Sequence, residues 1–396
     1  MAGIAPRRGA RVSARIVPML VERRTLIAGG APAALRAQFQ PARKHRVVII
    51  GHTGRGNYGH GWEMSWIGIP NVEVAAVADP DDEGRTAARR RCGAGRDYRD
   101  YREMIAREKP DIVTICPRWC DQRVEMVTAA AAAGAHILVE KPLAQSLQDA
   151  DAIVRVTETA GVKVQVGHTA RAMDVTARTR DLLRSGQLGR LLEIRARGKE
   201  DRRAGGEDLI VLGSHCFDLM RYFAGDPLWV FAHVSEKGRE VDSGMMRQAG
   251  EPVGAVGGDN IAAMYLFPHG VHGYFSSMLS EDRSGRRFGV TLAGTKGIAF
   301  VPLSAVPGEE PWILRSPAWV PEKGESWERI RYGARPATRE ETNRLMALDL
   351  LQAIEGHREP LCSARDGRWT VEMAAAVYQS QQSGTRAPFP LRNRTS

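Results

Sequence analysis

Short apolar runs alternate with longer charged segments between residue 46 and about residue 168. Five of these runs are rich in β-branched residues and are bounded by glycine, proline or a polar residue, which is typical of buried parallel strands. They are RVVIIG (46–51), VEVAAVADP (72–80), DIVTICP (111–117), HILVEKP (136–142) and KVQVGH (163–168). The segments between them have helical length. This alternation predicts a doubly wound α/β domain with a parallel sheet over residues 46–168.

The pattern changes after about residue 170, where the extended runs become longer. The longest are RLLEIRARGK (190–199), LWVFAHVSEK (228–237), NIAAMYLFPHGVHGYFSSML (260–279) and RFGVTLAGTKGIAFVP (287–302). The third contains Pro268-His269-Gly270, which predicts a hairpin turn. Residues 303–340 are rich in proline, glycine and glutamate and predict an irregular surface or lid. Two helical segments close the chain, and we expect a second domain over residues 169–396.

The net charge of +10 is concentrated at the start of the chain. Residues 1–45 carry nine Lys and Arg residues against one acid, Glu22, which leaves only +2 for the rest of the chain. A nucleic-acid-binding domain would carry its positive charge on the folded part. We therefore expect no nucleic acid partner.

Residues 1–45 form a basic leader with features of an export signal. Arg23-Arg24 precedes a short segment of apolar and small residues, and LRAQ (35–38) is a candidate cleavage region. This arrangement is similar to a twin-arginine signal, and the apolar segment is too short to span a bilayer. It predicts a periplasmic protein with no membrane span in its mature form. The alternative, a disordered basic tail, predicts a cytoplasmic protein.

The five cysteines show no metal-binding spacing. Cys116 and Cys120 are the only close pair, and no second pair completes a zinc site. We expect buried or half-buried free thiols and no metal.

A glycine-rich loop follows the first predicted strand. Gly54, Gly56 and Gly59 form a G-x-G-x-x-G, and Gly51 closes the strand three residues earlier. Glycines let the backbone approach a pyrophosphate, and a helix beginning there would direct its N–H groups at the phosphates. We predict that these four glycines bind a dinucleotide and that the loop opens the first helix. The added length leaves open which glycines touch phosphate.

Asp79 ends the second predicted strand, where an acid hydrogen-bonds the adenosine ribose of a dinucleotide. Such an acid favours NAD over NADP because it repels a 2′-phosphate. The alternative is an N-cap for the helix after Pro80, and both roles are compatible. Arg85 and Arg89 lie nearby in the sequence, so NADP stays open as the cofactor.

Glu140, Lys141 and Pro142 end the fourth predicted strand, and Pro117 ends the third. Ligands of open α/β sheets bind at the carboxyl ends of the strands, so these residues should border the crevice. Partial desolvation at the mouth of a buried strand shifts the pKa of a charged group. We predict that Pro117 and Glu140 contact the cofactor.

Four stretches of the chain resemble the Gfo/Idh/MocA family of sugar-type oxidoreductases, over about residues 46–390. They are AGAHILVEKPLA (133–144), TARTRDLLRSGQLGRLLEIRA (176–196), GSHCFDLMRYFAGDP (213–227) and the ending from DLLQAIEG to YQSQQSG (349–384). The resemblance implies an N-terminal Rossmann domain and a second, α+β domain built on a large, mostly antiparallel open sheet. In the family that sheet face packs against another subunit, which implies a homo-oligomer, a dimer or a tetramer.

The resemblance also implies two catalytic residues. The lysine of the family's Glu-Lys-Pro motif approaches the reacting hydroxyl, which assigns Lys141, and Pro142 shapes the turn that presents it. The second-domain motif assigns His215 as general acid/base, a role that suits a group whose pKa lies near neutrality. The family's aspartate four residues before this histidine is replaced by Val211. A histidine that relatives often carry after the third strand is replaced by Asp121.

These features predict an oxidoreductase that transfers a hydride between a nicotinamide cofactor and a hydroxyl or keto carbon of a sugar, polyol or related small molecule. Two alternatives stay open. An NAD-dependent glycoside hydrolase or lyase would oxidise a sugar ring transiently and reduce it again. A non-catalytic dinucleotide-binding regulator is the interpretation that Val211 motivates.

Overall fold

The structure is a computed structural model that describes residues 44–279, 288–303, 312–316, 324–330 and 338–392. The strands are β1 His45–Ile50, β2 Val72–Ala78, β3 Arg96–Tyr98, β4 Ile112–Ile115, β5 His136–Val139, β6 Val164–Val166, β7 Leu191–Arg197, β8 Trp229–Glu236, β9 Arg239–Glu240, β10 Arg247–Gln248, β11 Ala255–Val256, β12 Asn260–Leu266, β13 His272–Met278, β14 Gly289–Gly294, β15 Gly297–Pro302, β16 Trp312–Leu314, β17 Glu328–Arg329 and β18 Ala387–Pro388. The α-helices are α1 Asp82–Cys92, α2 Tyr101–Glu108, α3 Arg123–Ala132, α4 Leu147–Thr159, α5 Asp174–Arg184, α6 Gly206–Val211, α7 Gly213–Ala224, α8 Arg339–Glu355 and α9 Ala364–Ser383.

The first six strands form one parallel sheet in the order β3-β2-β1-β4-β5-β6. The apolar runs predict this sheet because its central strands are covered on both faces, and Val47, Val48 and Ile49 of β1 have no exposed surface. The direction of the strand order reverses between β1 and β4, which is where a doubly wound sheet opens its ligand crevice. The predicted fold of this half is confirmed.

Side chains and glycines set the helix ends of this half as local capping rules require. Ser146 accepts a hydrogen bond from the Asp149 N–H at the start of α4, and α1 ends at Gly93 with φ of 69°. The N-cap of α1 is Asp81, whose carboxylate accepts from the Gly84 N–H. The alternative role of Asp79 as that cap is therefore wrong.

No α-helix lies between β1 and β2, so the prediction that the glycine-rich loop opens the first helix is also wrong. Residues 51–71 contain only one short 3₁₀ turn, Trp62–Met64. The backbone explains the difference, because five positions between residues 54 and 61 have φ between 51° and 87°: Gly54, Gly56, Asn57, Gly59 and Gly61. A right-handed helix needs φ near −63° at every residue, so this spacing of left-handed positions prevents one.

The second sheet has ten strands, with the order β17-β16-β15-β14-β7-β13-β12-β8-β18 and β9 paired to β8. Every pair is antiparallel except β7 with β13. The predicted hairpin is confirmed, because the turn Pro268–Gly270 joins the antiparallel strands β12 and β13. The mostly antiparallel second sheet is therefore confirmed as well.

Among the residues that the structure describes, helices cover one face of the large sheet. Along β8, Val230, Ala232 and Val234 are buried in a core shared with α7 and α9, whereas Phe231 between them is 44% exposed. This alternation is the period of two that a half-buried strand requires.

All five cysteines are buried and unpaired. Within the described residues, we find no helix with both the length and the apolar content needed to cross a bilayer.

Candidate active site

A cavity of about 800 Å³ opens at the carboxyl ends of β4 and β5, where the parallel sheet faces the second sheet's helices. Lys141 and His215 both line it, although 74 residues separate them in the chain. Its lining residues include His60, Trp62, Arg118, Glu140, Lys141, Pro142, Gly167, Lys199, Asp201, Arg202, Arg203, Val211, His215, Glu251, Phe288, Arg339 and Asn343. The structure thus brings the two predicted catalytic residues to a single cleft.

Lys141 is 3% exposed and directs its ammonium group at the second half of the molecule. Its Nζ donates to the backbone carbonyl of Val211 at 3.2 Å. Burial lowers the pKa of Lys141, Glu140 opposes that shift, and the charge of Arg203 adds to it. A lysine with a lowered pKa releases its proton at a lower pH than an exposed lysine does, and perturbed groups of this kind are typical of catalytic sites.

The resemblance predicts an aspartate at the position that Val211 occupies. Lys141 contacts the backbone carbonyl of this valine. The nearest acids upstream, Glu207 and Asp208, do not line the cavity. Asp208 is fully buried and accepts hydrogen bonds from the Ser277 hydroxyl at 2.6 Å and the Glu200 N–H at 3.1 Å. A backbone acceptor therefore orients the lysine here without adding a negative charge.

Glu140 holds the glycine-rich loop against the sheet. Its Oε2 accepts from the Trp62 indole N–H at 2.6 Å, from the His60 backbone N–H at 3.2 Å and from His60 Nδ1 at 2.8 Å. Burial alone would raise the pKa of Glu140, but the His60 imidazole and these donors lower it to about 2. A Cβ on Gly59 would come within 2.6 Å of the same carboxylate. Glu140 therefore anchors the loop and also lines the large cavity, and its contact with the cofactor stays a prediction.

His215 stands beside a second histidine, His168, which sequence analysis missed. The two imidazole rings meet edge to face with centroids 5.3 Å apart. His168 is fully buried, neither ring nitrogen has a hydrogen-bond partner among the described residues, and burial lowers its pKa to about 4. Burial also lowers the pKa of His215 well below its usual value. Both rings are therefore neutral at pH 7. His168 lies two residues after β6, at the same edge of the sheet as Lys141, so the strand-end rule offered a signal for it.

Behind His168 lies a buried ionic cluster that supports the site. His168, Asp218 and Cys362 place ligand-type atoms within 4.8 Å of one another. Arg171 holds the Asp218 carboxylate, with Nε at 2.9 Å and Nη2 at 2.7 Å, and also contacts Asp366 at 3.1 Å. The Arg171 guanidinium already binds the Asp218 carboxylate, and its positive charge would repel a metal cation. We therefore assign this cluster a structural role.

Asp79 faces the glycine-rich loop. It is fully buried, and its carboxylate accepts from the backbone N–H of Thr53 at 3.0 and 3.1 Å, from the Thr53 hydroxyl at 2.8 Å and from the Asp81 N–H at 3.0 Å. Gly51 makes room for a side chain, because a Cβ there would lie 2.2 Å from the Tyr58 ring. Both residues hold the loop in shape.

The loop joins two cavities, as a dinucleotide site requires. His52 and Asp79 line a cavity of about 210 Å³ at the ends of β1 and β2, and His60 lines the large cavity. Gly56 lets the loop pass close to the turn after β4, since a Cβ on Gly56 would lie 2.5 Å from the backbone nitrogen of Arg118. An extended dinucleotide fits this layout, with its adenosine half in the small cavity and its nicotinamide half in the large one.

The cations near the small cavity differ from those that sequence spacing indicated. Arg85 and Arg89 pair with Asp97, at 3.0 and 2.8 Å, and neither lines the cavity. Arg99 and Arg102 line it instead. The cations beside a ribose bound in this cavity would therefore be Arg99 and Arg102.

Arg123 joins the two loops that border the large cavity. It is fully buried at the start of α3, and its guanidinium donates to the carbonyls of Pro117 at 2.6 Å, Pro142 at 3.1 Å and Trp119 at 3.4 Å, and to the carbonyl of Glu140. This contact fixes the turn after β5, which presents Lys141, to the turn after β4. Pro117 thus contributes a carbonyl to the support of the site.

We expect the Arg123→Met variant to lower kcat by about 30-fold, because a displacement of the Lys141 turn by a fraction of an ångström misplaces its amine. The free energy of unfolding should fall by about 3 kcal/mol, since buried carbonyls lose their donors. Steady-state kinetics well below the unfolding temperature would separate the two effects. Arg123→Lys, which keeps the charge but not the fork of donors, should show an intermediate kcat. Unchanged kcat in a folded Arg123→Met variant would contradict the positioning role.

Comparison with known proteins identifies the two halves of the chain. A family model described as the oxidoreductase family with an NAD-binding Rossmann fold matches residues 45–168. A second, described as the GFO/IDH/MocA C-terminal domain, matches residues 176–300.

Curated relatives and solved structures agree with this match. D-apiose dehydrogenase from Paraburkholderia graminis is 33% identical over 41% of this chain and 46% of its own length. The 1,5-anhydro-D-fructose reductase from Ensifer adhaerens is 24% identical over 82% of this chain and 94% of its own. The chain spans about half the length of several other curated relatives. A levoglucosan dehydrogenase solved with NADH and L-sorbose has the same fold, with a TM-score of 0.74, 20% identity, and coverage of 88% of this chain and 100% of that one. The chain belongs to the Gfo/Idh/MocA family of oxidoreductases, and its N-terminal half is the family's NAD-binding Rossmann domain.

Proposed function

We propose that the protein is an NAD-dependent dehydrogenase that acts on a CH–OH group of a sugar, a polyol or a related small molecule. The observation that carries this proposal is the meeting of Lys141 and His215 in one cavity at the carboxyl ends of the Rossmann strands. The relatives named as sugar dehydrogenases and reductases support the same class of substrate.

The chain's own residues supply the proton chemistry. Bound NAD would accept the hydride from the carbinol carbon. His215, neutral at pH 7, accepts the hydroxyl proton, and Lys141 donates a hydrogen bond to the oxygen as negative charge develops on it. The Val211 carbonyl keeps the Lys141 amine at the cavity wall. Burial of the Lys141 amine strengthens its interaction with the developing charge because little water competes there.

Net formation of NADH tests this proposal. The purified protein is incubated with NAD and a panel of polyols, aldoses and glycosides, while nucleotide released by denaturation is identified as NAD or NADP. NADH that accumulates with substrate supports the dehydrogenase. Release of the aglycone from glycosides without net NADH would support the hydrolase or lyase alternative, and bound nucleotide with no turnover across the panel would support the regulator.

We further propose that the protein is a homo-oligomer, a dimer or a tetramer. Its subunits would associate through the face of the ten-stranded sheet that no described helix covers. A groove of about 750 Å³ crosses this face, lined by Phe231, Met264, Tyr274 and Phe300 among others. Phe231 is 44% exposed in the described structure. Apolar surface of this kind marks association sites in soluble proteins.

We expect the Phe231→Asp variant to be monomeric in light scattering coupled to size-exclusion chromatography. The charge would lie in the apolar groove, where association would desolvate it. Ile67→Asp is the matched control, because Ile67 is 41% exposed in the other half of the chain, and it should keep the parent's mass. An unchanged oligomer in Phe231→Asp would show that this face is not the interface.

The leader, residues 1–43 of which lie outside the described part of the chain, supports a proposal of periplasmic location. Its twin-arginine pattern is the only ground for this proposal. Fractionation of cells that express the full chain decides between the periplasm and the cytoplasm.

A further inference from the structure

The cavity that holds Lys141 and His215 carries an excess of cationic side chains. Apart from Lys141, five cations line it: Arg118, Lys199, Arg202, Arg203 and Arg339. Three carboxylates accompany them: Glu140, Asp201 and Glu251. Counted over the residues that the structure describes, the lining is positive by two charges even when Lys141 is neutral.

The carboxylates of this lining already face donors. Asp201 accepts two hydrogen bonds from Arg203, at 3.0 and 2.6 Å, and lies 3.4 Å from the Lys199 ammonium. Glu251 lies 3.5 Å from Arg118, and Glu140 is held by the loop. A neutral sugar presents hydroxyl donors that need acceptors, and Glu140 and Asp201 already accept several hydrogen bonds each.

The cations of the lining differ in how far they are already paired. Lys199 and Arg203 pair with Asp201, at 3.4 and 2.6 Å. Arg202 and Arg339 form no ion pair with any residue that the structure describes. Arg203 lies close enough to Lys141 for its charge to lower the pKa of that amine. The segment 199–203 contributes three of the five cations, and it belongs to the second half of the chain and not to the glycine-rich loop. Its charge is therefore available to a substrate rather than to a pyrophosphate.

We propose that the substrate is an anionic sugar, a polyhydroxylated molecule whose carboxylate or phosphate binds the cations Lys199, Arg202 and Arg203. The reacting hydroxyl then faces Lys141 and His215. Guanidinium groups bind either anion through paired, charge-assisted hydrogen bonds, so both sources share one chemistry. This inference rests on the proposed dehydrogenase function and deepens it by naming the class of substrate.

Matched sugars that differ only at C6 test the inference. For the gluco, galacto and manno series, kcat/KM with NAD is measured for the neutral hexose, the uronate and the hexose 6-phosphate. We expect the uronate or the phosphate to exceed the hexose by about tenfold in the series that is turned over best, and the gap to shrink as salt is added. The arm with the larger gain identifies the anion. A neutral hexose that equals or exceeds both anions would overturn the inference.

The Arg202→Gln variant locates the effect. We expect it to lower kcat/KM for the anionic sugar about fivefold more than for the neutral hexose, since one charge-assisted hydrogen bond is lost. Arg155→Gln makes the same change in net charge on the exposed side of α4, outside the cavity, and should leave both values unchanged. An equal loss for both sugars, together with a raised Kd for NADH, would assign these cations to the cofactor and overturn the inference.

Binding measurements keep the inference separate from the proposed function. Titration calorimetry of the complex with NADH uses the same uronates, phosphates and hexoses. Binding of an anionic sugar that weakens in Arg202→Gln supports the inference even if no sugar is oxidised, in which case the proposed dehydrogenase function alone has failed. No binding of any anionic sugar, in an enzyme that does or does not turn over hexoses, would overturn it.

Discussion

Replacing Lys141 with methionine is expected to lower kcat for alcohol oxidation by about 10³-fold while the Kd for NADH changes little. Methionine fills a similar volume in this buried position but cannot donate to the developing alkoxide. Lys141 donates to the carbonyl of Val211, and the neighbouring Glu140 keeps its own donors from Trp62 and His60 when the lysine charge is removed. Steady-state kinetics and NADH fluorescence titration measure the two quantities.

A lysine away from the cavity provides the control for this variant. Lys163→Met removes an ammonium that pairs with Glu359 at 2.6 Å and does not line the cavity, and it should keep the parent's kcat. A Lys141→Met enzyme with more than about a tenth of the parent's kcat would contradict the assignment. Loss of NADH binding in the same variant would instead show that Lys141 supports the fold of the cofactor site.

The sequence predicts five of the six strands of the parallel sheet and misses one edge strand. The strands β1, β2, β4, β5 and β6 are apolar because other elements cover both faces. The edge strand β3, Arg96–Tyr98, has three polar or amphipathic residues and no apolar run, so periodicity gives no sign of it. The helix α2 that follows is short and highly charged, and it was missed for the same reason.

The glycine-rich loop shows where a motif misleads. Its G-x-G-x-x-G has the spacing of a loop that opens a helix, but the motif records only where side chains are absent. Here Gly56 and Gly59 are needed for close approach of the backbone to Arg118 and Glu140, and their left-handed φ values exclude a helix. Several backbone geometries share one glycine spacing, so the sequence alone could not choose among them.

Some of the site residues could be predicted from the sequence and others could not. Lys141 was placed by its motif at the end of a strand, and His215 by the resemblance of the second half. Arg123 and the carbonyl of Val211 could not be found, because a backbone acceptor leaves no trace in the identity of the side chain. Contacts of this kind arise only when the fold brings distant segments together.

The pH profile of kcat/KM for alcohol oxidation should have an acid limb and an alkaline limb. The acid limb should lie below the ordinary pKa of histidine, and the alkaline limb below the ordinary pKa of lysine. His215 must be neutral to accept the proton, and burial lowers its pKa well below 6.5, so activity rises with pH through a limb below that value. Lys141 must be protonated to donate, and its pKa is lowered below 10.5, so activity falls again as the pH rises through that lower value. His215→Asn should lower kcat by about 10²- to 10³-fold and remove the acid limb, whereas Lys141→Met should remove the alkaline one. An acid limb that persists in His215→Asn would assign the general base to another group, and His168, whose pKa is about 4, would be the first to test.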